Sequence, residues 1–236
     1  MKTILITGSN RGIGLALTAE FLQQGDRVIA TARQPDEATE LQALAAKYPS
    51  TLQIERMDVA DQAAVDQLAS KLSAEGNPLD VLINNAGIIS EADDDSLEKL
   101  KLDHLERAFA INVVAVARVS QAFLPVLKKS ERARIVNISS GAGSISDKTD
   151  SRNLSYSVSK AALNQLTRGM AADLRENQII VVPITPGWVK TEMGGTHADL
   201  TPADAAKSLV STIKKLNMKQ TGTFLDRHGR SGVYNW

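Results

Sequence analysis

A short apolar run near the start of the chain passes directly into a glycine-rich turn and then into a helical pattern. Residues 4–6 are apolar, glycines follow at Gly8, Gly12 and Gly14, and residues 15–24 have apolar positions at helical spacing. This order predicts a strand, a sharp turn and a helix. Glycine lets the backbone approach an anion, and a helix N-terminus favours negative charge. The turn is therefore a candidate phosphate site, although its G-x-x-x-G-x-G spacing differs from the common dinucleotide fingerprint.

Strand-like and helix-like segments alternate along the rest of the chain. Further strands are predicted at 27–33, 52–57, 80–83, 134–138, 179–184 and 222–225, and further helices at 37–47, 61–75, 102–129, 156–176 and 202–217. This alternation predicts a parallel sheet with right-handed crossovers in an α/β fold. Such sheets bind ligands at the carboxyl ends of their strands, so polar residues at those ends are the candidates for function.

Composition excludes several kinds of site and partner. The chain has 236 residues, of which 43% are hydrophobic, and its 27 basic and 27 acidic side chains give no net charge that would favour nucleic acid or an anionic membrane. It has no cysteine, so disulfides and thiolate sites are excluded, and its three histidines are too dispersed to predict a metal site. No segment approaches the ~20 apolar residues of a membrane span, and no signal peptide is evident, so we expect a cytoplasmic protein.

Two arginines bear on which dinucleotide would be bound. The second strand ends at Arg33, where an acidic residue would otherwise select the ribose 2′-hydroxyl of NAD, and Arg11 lies inside the glycine turn. Two guanidinium groups would suit a 2′-phosphate, which predicts NADP(H) rather than NAD(H). The alternative is that both arginines are simply solvated.

Polar and small residues follow two other strands. Asp58, followed by Val59, could accept from an adenine amino group, and Ala86 and Gly87 would let a ribose pack closely. The alternatives are that Asp58 only caps a turn and that Asn84 and Asn85 only satisfy backbone groups. The acidic stretch 91–100, with Asp93, Asp94 and Asp95, is interpreted as a solvated loop rather than a metal site.

A tyrosine and a lysine four positions apart carry the chemical prediction. Residues i and i+4 share a helix face, so Tyr156 and Lys160 should project side by side. A nearby ammonium favours the ionised phenol, which would make Tyr156 a proton donor and acceptor near neutral pH. Ser140, at the end of the fifth strand, could hydrogen-bond a substrate carbonyl or merely terminate the strand. Asn112 lies in the middle of an apolar helical stretch, where an asparagine calls for an explanation.

The last third of the chain contains a candidate lid and a helix start. Residues 188–200 have few strand or helix signals, which is typical of a mobile lid over a site. Thr201 is the candidate N-cap of the final helix, with Pro202 at its first position. Residues 226–236 are interpreted as a polar tail with a terminal aromatic residue.

Together these motifs resemble those of the short-chain dehydrogenase/reductase family. The family's T-G-x-x-x-G-x-G corresponds to residues 7–14, its N-N-A-G to 84–87, its Y-x-x-x-K to 156–160 and its proline-glycine to 186–187. Residues 138–145 and 185–195 are more specifically similar to its carbonyl-reductase branch, which includes the insect protein sniffer and the bacterial C-factor. The resemblance covers essentially the whole chain.

The resemblance implies a fold and a set of site residues. The fold would be a single-domain Rossmann-type doubly wound parallel sheet over residues 1–236, with about seven strands in the order 3-2-1-4-5-6-7 and helices on both faces. The implied catalytic residues are Asn112, Ser140, Tyr156 and Lys160. The cofactor-binding residues expected from the motifs are Gly8, Asn10, Arg11, Gly12, Ile13, Gly14, Arg33, Asp58, Val59, Asn85, Ala86, Gly87, Tyr156, Lys160, Pro186, Gly187, Val189 and Thr191.

The resemblance also implies an activity, namely NADPH-dependent reduction of an aldehyde or ketone to an alcohol. Ser140 and Tyr156 would bind the carbonyl oxygen, Tyr156 would protonate it, and Lys160 would bind the nicotinamide ribose and lower the phenol pKa. Asn112 would bend its helix and hold a water. The alternatives are an alcohol or steroid dehydrogenase working oxidatively and a dinucleotide-binding sensor without turnover. The expected partners are a small carbonyl or alcohol substrate and a second copy of the chain, as a homodimer or alternatively a homotetramer.

Overall fold

Seven parallel strands form the centre of the computed structural model, which describes residues 1–89 and 96–236. In space they run in the order β3-β2-β1-β4-β5-β6-β7, and every neighbouring pair is parallel. The predicted fold class and strand order are therefore confirmed. The strands are β1 (Thr3–Ile6), β2 (Arg27–Ala32), β3 (Leu52–Arg56), β4 (Val81–Asn84), β5 (Arg134–Ile138), β6 (Ile180–Thr185) and β7 (Leu225–Asp226).

Helices cover both faces of this sheet because each strand sends alternate side chains to opposite sides. In β1, Ile4 and Ile6 pack in one core layer with Phe21, whereas Leu5 packs in the other layer with Phe123. Helices α1 and α7 contribute to the first layer, and α3 and α5 contribute to the second. The helices are α1 (Gly12–Gln23), α2 (Thr39–Lys47), α3 (Gln62–Glu75), α4 (Leu102–Phe109), α5 (Ala115–Leu127), α6 (Leu154–Asp173) and α7 (Pro202–Lys215).

Some predicted boundaries are wrong, and local bonding explains each difference. The helix expected at 37–47 is divided, because Pro35–Glu37 forms a 3-10 turn and α2 begins only at Thr39. The last strand begins at Leu225 rather than at Gly222, because Gly222 has a positive φ of 75° and its N–H donates to Val181 across a turn. The predicted cap of α7 is confirmed, since the Thr201 hydroxyl accepts from the backbone N–H of Asp204 at 3.1 Å.

The single helix expected over 102–129 contains a π turn. Ala110–Val114 separates α4 from α5, and Asn112 lies at its centre with 1% of its surface exposed. A π turn inserts one extra residue into the helix and changes the direction in which its side chains project. The expected local distortion at Asn112 is therefore present. Half of the acidic stretch assigned to a solvated loop, including Asp93, Asp94 and Asp95, lies outside the described residues.

The helical run from Leu102 to Leu127 is long and apolar enough to cross a membrane by length and composition alone. The sequence prediction that no segment approaches a membrane span is therefore wrong for this segment. Its apolar side chains include Val119, Phe123 and Leu127, which are buried in the core layer that also contains α3. That packing accounts for the high hydropathy of the run.

The carboxyl ends of all seven strands lie along one edge of the sheet, because all the strands are parallel. At this edge the chain order reverses between β1 and β4, since β2 and β3 continue from β1 on one side and β5 to β7 follow β4 on the other. A crevice forms where successive connections leave in opposite directions. The predicted site residues other than Asn112 lie in the segments that follow β1, β2, β3, β4, β5 and β6, so the topology brings those segments to this crevice.

Candidate active site

A cleft of about 1630 Å³ lies along the carboxyl edge of the sheet. It contains the glycine turn after β1, the ends of β2, β3 and β4, the turn after β5, the first turns of α6 and the loop after β6. Every cofactor-binding residue predicted above lines this cleft, as do Ser140, Tyr156 and Lys160. Asn112 does not line it. The cleft continues past the loop after β6, where Trp188 and Met193 form an apolar part of its wall.

The glycine turn is held so tightly that side chains would not fit in it. Gly8 and Gly12 have positive φ values of 67° and 56°, which glycine adopts readily. A Cβ atom on Gly14 would lie 2.2 Å from the carbonyl oxygen of Gly8 and 2.5 Å from Nδ2 of Asn85. The result is a concave backbone surface at the N-terminus of α1, which suits a phosphate group. The residues present therefore fit the pyrophosphate of a dinucleotide.

Asn85 and Thr7 fix this turn to the end of β4. Nδ2 of Asn85 donates to the carbonyl oxygens of Thr7 at 2.9 Å and Gly8 at 3.1 Å. The Thr7 hydroxyl oxygen accepts from the backbone N–H groups of Asn85 and Ala86, both at 3.0 Å. Asn85 thus satisfies backbone carbonyl groups, which was the alternative to a role in ligand binding. By doing so it also holds the glycine turn against the end of β4. Sequence reasoning missed Thr7, whose position at the first residue of the glycine motif was the available signal.

The two arginines predicted to bind a phosphate have different environments. Arg33 follows β2, is exposed, and has no ion-pair partner among residues 1–89 and 96–236. Arg11 forms an ion pair with Glu192, which lies in the loop after β6 on the opposite side of the cleft. Both side chains are exposed, at 60% for Arg11 and 73% for Glu192, so the pair is accessible to solvent and to ligands. Sequence reasoning did not identify Glu192.

Asp58 and Val59, which follow β3, form hydrogen bonds that fix the turn at the cleft wall. Oδ1 of Asp58 accepts from the N–H of Ala60 at 2.9 Å, so this carboxylate does cap a turn. One of its oxygens remains available to a ligand in the cleft. Val59 is buried, and its carbonyl oxygen accepts from Arg118 of α5 at 2.9 Å. The turn thus holds Asp58 at the cleft wall.

Tyr156 and Lys160 lie on one face of α6, as their spacing predicted. Lys160 Nζ lies 5.5 Å from the centroid of the Tyr156 ring and donates to the carbonyl oxygen of Ile138 at 2.9 Å. Only 5% of the lysine surface is exposed. The ammonium group is therefore held at the inner end of the cleft, between the end of β5 and the phenol.

Burial sets the acidity of both groups. Burial raises the pKa of the Tyr156 phenol above its usual value near 10, although a hydrogen bond from Ser140 partly opposes this change. Burial lowers the pKa of Lys160 to about 8. Removal from water disfavours the ionised form of each group, and burial is the largest influence on the phenol pKa. The expectation that Lys160 lowers this pKa stays a prediction. At neutral pH the phenol keeps its proton.

Ser140 faces the phenol from a short turn after β5. Its hydroxyl is a hydrogen-bond partner of Tyr156, and its oxygen accepts from the N–H of Ala142 at 3.1 Å. The residues Gly141–Gly143 form a 3-10 turn that begins immediately after it. Ser140 thus caps this turn, as one of the two sequence interpretations held, and it lines the cleft. Its hydrogen bond to a substrate carbonyl stays a prediction.

Asn112 supports the site from behind. Its Nδ2 donates to the carbonyl oxygen of Ile88 and to the Ser159 hydroxyl, and its Oδ1 accepts from the N–H of Ile88, all at 2.9 Å. Ser159 in turn donates to the carbonyl oxygen of Tyr156 at 2.7 Å. Both amide hydrogens are occupied, so the expected water would bind an acceptor of this residue, either the remaining lone pair of Oδ1 or the backbone carbonyl oxygen. Asn112 connects the loop after β4 to the helix that carries Tyr156.

The loop after β6, which the sequence predicted to be a mobile lid, contains close packing and a backbone bridge. Gly187 has a positive φ of 86°, and a Cβ there would lie 2.9 Å from Leu200 and 3.0 Å from Arg227. Val189 and Leu200 form an isolated parallel bridge that closes the base of the loop. Its N-terminal half, which includes Pro186, Val189 and Thr191, forms one wall of the cleft.

Known proteins share both the sequence and this architecture. The family model for short-chain dehydrogenases matches residues 2–215. The NADPH-bound carbonyl reductase from chicken fatty liver is 37% identical, with a TM-score of 0.92 and coverage of 100% of this chain and 99% of the other. The carbonyl reductase Sniffer of Drosophila melanogaster is 34% identical, with a TM-score of 0.95 and complete coverage of both chains.

A curated relative extends the comparison to bacteria. C-signal of Myxococcus xanthus is 38% identical over 152 residues, which are 64% of this chain and 90% of that protein. The predicted resemblance to the family, and to the carbonyl reductases within it, is confirmed by these matches. Together with the strand order and the glycine turn, they establish that this chain belongs to the short-chain dehydrogenase family of oxidoreductases.

Proposed function

We propose that this protein uses NADPH to reduce aldehydes or ketones to alcohols. The observation that carries the proposal is the convergence of Ser140, Tyr156 and Lys160 at one end of a cleft whose other end is a glycine cradle for phosphate. A dinucleotide bound in this cleft would connect these two ends. The solved carbonyl reductases described above support the same reading.

The choice of NADP(H) rests on the two arginines. Arg33 extends from the end of β2 and forms no ion pair within residues 1–89 and 96–236, and Arg11 lies in the glycine turn that lines the same cleft. Guanidinium groups are well suited to a phosphate because they donate several hydrogen bonds in one plane. The NADPH-bound neighbour supports this choice. We propose that the cofactor-binding residues are those predicted from the motifs, from Gly8 in the turn to Thr191 in the loop after β6.

In the proposed reaction, bound NADPH supplies the hydride. Ser140 and Tyr156 donate hydrogen bonds to the substrate carbonyl oxygen and stabilise the negative charge that develops there. The phenol proton then passes to that oxygen and leaves an alcohol. Lys160 holds the nicotinamide ribose and stabilises the phenolate that remains, since its ammonium lies on the same helix face at the inner end of the cleft. Asn112 positions α6 through Ser159.

The raised pKa of Tyr156 favours the reductive direction. A phenol that keeps its proton at neutral pH is ready to donate, whereas oxidation of an alcohol requires the ionised form. We therefore expect carbonyl reduction to exceed alcohol oxidation near pH 7 and the two to converge as the pH rises.

The test compares NADPH and NADH consumption over a panel of aldehydes, α-diketones, ketoesters and isatin. We expect turnover with NADPH and much less with NADH. Tyr156→Phe should retain NADPH binding and lose at least about a hundredfold in kcat, because it removes the proton donor. Tyr48→Phe, at a tyrosine that ends α2 and does not line the cleft, is the matched control. Full activity in Tyr156→Phe would refute the mechanism, and tight NADPH binding without turnover on any substrate would favour the sensor alternative.

We also propose that residues 1–236 act as one NADP-binding domain, in the cytoplasm, as a homodimer. Val114 and Val158 are apolar side chains that are 49% and 45% exposed on the helical faces containing the π turn and α6. A symmetric pair of such faces would bury them. Sedimentation equilibrium should give twice the chain mass, and Val114→Asp with Val158→Asp should give a monomer. A wild-type protein that is monomeric at all concentrations would remove this proposal.

A further inference from the structure

We propose that Tyr234 is a positioning residue for Ser140, and that its ring holds the turn that presents the Ser140 hydroxyl to Tyr156. The inference rests on the proposed function, because it takes Ser140 to bind the substrate carbonyl. Tyr234 does not line the cleft and follows Ser140 by more than ninety positions in the sequence. It contacts the residue immediately after Ser140.

The contact leaves no room for a side chain at residue 141. A Cβ atom on Gly141 would lie 2.4 Å from Cε1, 2.9 Å from Cδ1 and 3.0 Å from Cζ of Tyr234. The phenol ring thus occupies the volume that any other residue at 141 would need. Since Gly141 has no positive φ, its lack of a side chain is explained by this ring and not by the backbone conformation.

The opposite side of the same turn rests on α6. A Cβ atom on Gly143 would lie 2.8 Å from the carbonyl carbon of Lys160 and 2.9 Å from its Cβ. The turn is therefore enclosed between the Tyr234 ring and the backbone of the helix that carries Tyr156. Any movement of this turn would change the distance between Ser140 and the phenol, because Ser140 caps the turn through the N–H of Ala142.

The ring itself is fixed by its neighbours. It packs on Phe224, with ring centroids 5.8 Å apart and planes inclined by 30°. The next residue, Asn235, donates from its backbone N–H to Oδ2 of Asp147 at 3.2 Å and from its side chain to Oδ1 at 3.4 Å. Asp147 also accepts from the Ser144 hydroxyl at 2.7 Å. The segment Val233–Trp236 of the predicted polar tail is thus attached to the loop that leads away from the turn.

A double-mutant cycle tests whether the contact acts on Ser140. Tyr234→Ala should lower kcat by about tenfold and leave the NADPH dissociation constant unchanged, since small displacements of a catalytic group are costly. Tyr234→Phe retains the ring and should stay within about twofold of wild type. Gly141→Ala should lose more activity than Tyr234→Ala, because its methyl group meets the ring. In the double variant the ring is absent, so activity should return to about the level of Tyr234→Ala alone.

A spectroscopic readout makes the test independent of turnover. The Cζ resonance of Tyr156 in protein labelled with ¹³C-tyrosine can be assigned by its loss in Tyr156→Phe. This resonance reports the hydrogen bond from Ser140, so it should move in Tyr234→Ala toward its position in Ser140→Ala and stay in place in Tyr234→Phe. The alkaline limb of the pH profile should also move to higher pH in Tyr234→Ala, because that hydrogen bond lowers the phenol pKa.

The possible outcomes separate this inference from the proposed function. An unchanged Tyr156 resonance in Tyr234→Ala, or strictly additive losses in the double variant, would overturn the positioning role. If the wild type reduces no carbonyl but the resonance moves as expected, the reductase proposal fails while the action of Tyr234 on Ser140 stands. If Tyr234→Ala does not fold, Gly141→Ala still tests the ring contact. Its loss of activity should persist in Gly141→Ala/Tyr234→Phe, because that variant keeps the ring, and recovery of activity there would contradict the contact.

Discussion

The ammonium group of Lys160 is almost completely removed from water, yet it forms no ion pair with a carboxylate in the part of the chain that the structure describes. It donates a hydrogen bond to the carbonyl oxygen of Ile138, and burial lowers its pKa to about 8. A charged group in this position destabilises the folded state, because a single carbonyl replaces little of the lost hydration. The protein thus retains at its active-site cleft a residue that reduces its stability, which is common where function sets the requirement.

Lys160 should therefore make stability depend on pH. Above pH 10.5 the amine is neutral in both the folded and the unfolded chain. As the pH falls from 10.5 to about 8, only the unfolded chain gains a proton, so the free energy of unfolding decreases. The difference between the two pKa values corresponds to a destabilisation of about 3 kcal/mol by the buried charge. A variant without the amine would avoid this destabilisation but would lose about 1 kcal/mol with the hydrogen bond to Ile138. Lys160→Met should thus be more stable by about 2 kcal/mol at pH 7 in urea unfolding.

The control for this prediction is Lys207→Met, which changes an exposed lysine on α7. It should change the free energy of unfolding little at any pH. The gain in Lys160→Met should shrink as the pH approaches 10.5. A loss of stability of the same size at pH 7 and pH 10 would show that the buried charge is not what determines the effect.

Arg11 is predicted to bind a phosphate, but its guanidinium group already pairs with Glu192. A 2′-phosphate would have to compete with this carboxylate. Glu192→Gln should lower the NADPH dissociation constant by up to about fivefold, the range expected for an exposed pair, and should change NADH binding much less. Fluorescence titration with both cofactors measures this, and Glu176→Gln, on the opposite edge of the sheet, is the control. Equal effects on NADPH and NADH would contradict competition with the phosphate.

Residues differ in how far the sequence could identify them. The side-by-side arrangement of Tyr156 and Lys160 follows from helical periodicity and was predictable. The direction of the Tyr156 pKa change was not, because it depends on what covers the phenol. Tyr234 was also beyond reach, since its contact with Gly141 joins two segments that no local pattern connects.

At the scale of elements, the π turn between α4 and α5 is the clearest departure from regular structure. It lies where Asn112 exchanges two hydrogen bonds with the backbone of Ile88 and a third with Ser159. The sequence indicated an anomaly, because an asparagine interrupted an apolar helical face. It could not give the partners, since these belong to the loop after β4 and to α6.

Asn112→Leu tests how much this connection contributes. The substitution keeps the side-chain volume and leaves the N–H and carbonyl groups of Ile88 without their partner, which should lower the free energy of unfolding by about 2–4 kcal/mol. Asn112→Asp, which keeps an acceptor for the N–H of Ile88, should be intermediate. Urea unfolding gives the stability, and hydrogen exchange at the Ile88 amide should accelerate in both variants. Wild-type stability in Asn112→Leu would mean that the turn does not depend on its amide.

At the scale of the whole molecule, alternation of strands and helices was enough to predict a parallel sheet covered on both faces. The strand order was implied only by the family resemblance, because periodicity does not report which strands are neighbours. The placement of the cleft then followed from the order, since the reversal lies between β1 and β4. The end of the sheet was the least predictable part, because β7 has only two residues and depends on the turn at Gly222.

The same reversal has a consequence for how the chain is made. β1 is synthesised first, but it pairs on one side with β4, so Ile4 must wait for Val81. Until then the sheet β3-β2-β1 presents an open, apolar edge, which is the kind of edge that promotes misassembly. Pulse-labelling hydrogen exchange during refolding should therefore find the β1 amides that donate to β4 protected in the same kinetic phase as β4. Protection of those β1 amides in a distinctly earlier phase would contradict this. The pairing of β1 with β4, which creates the crevice, would thus also cover the exposed strand edge of the newly made protein.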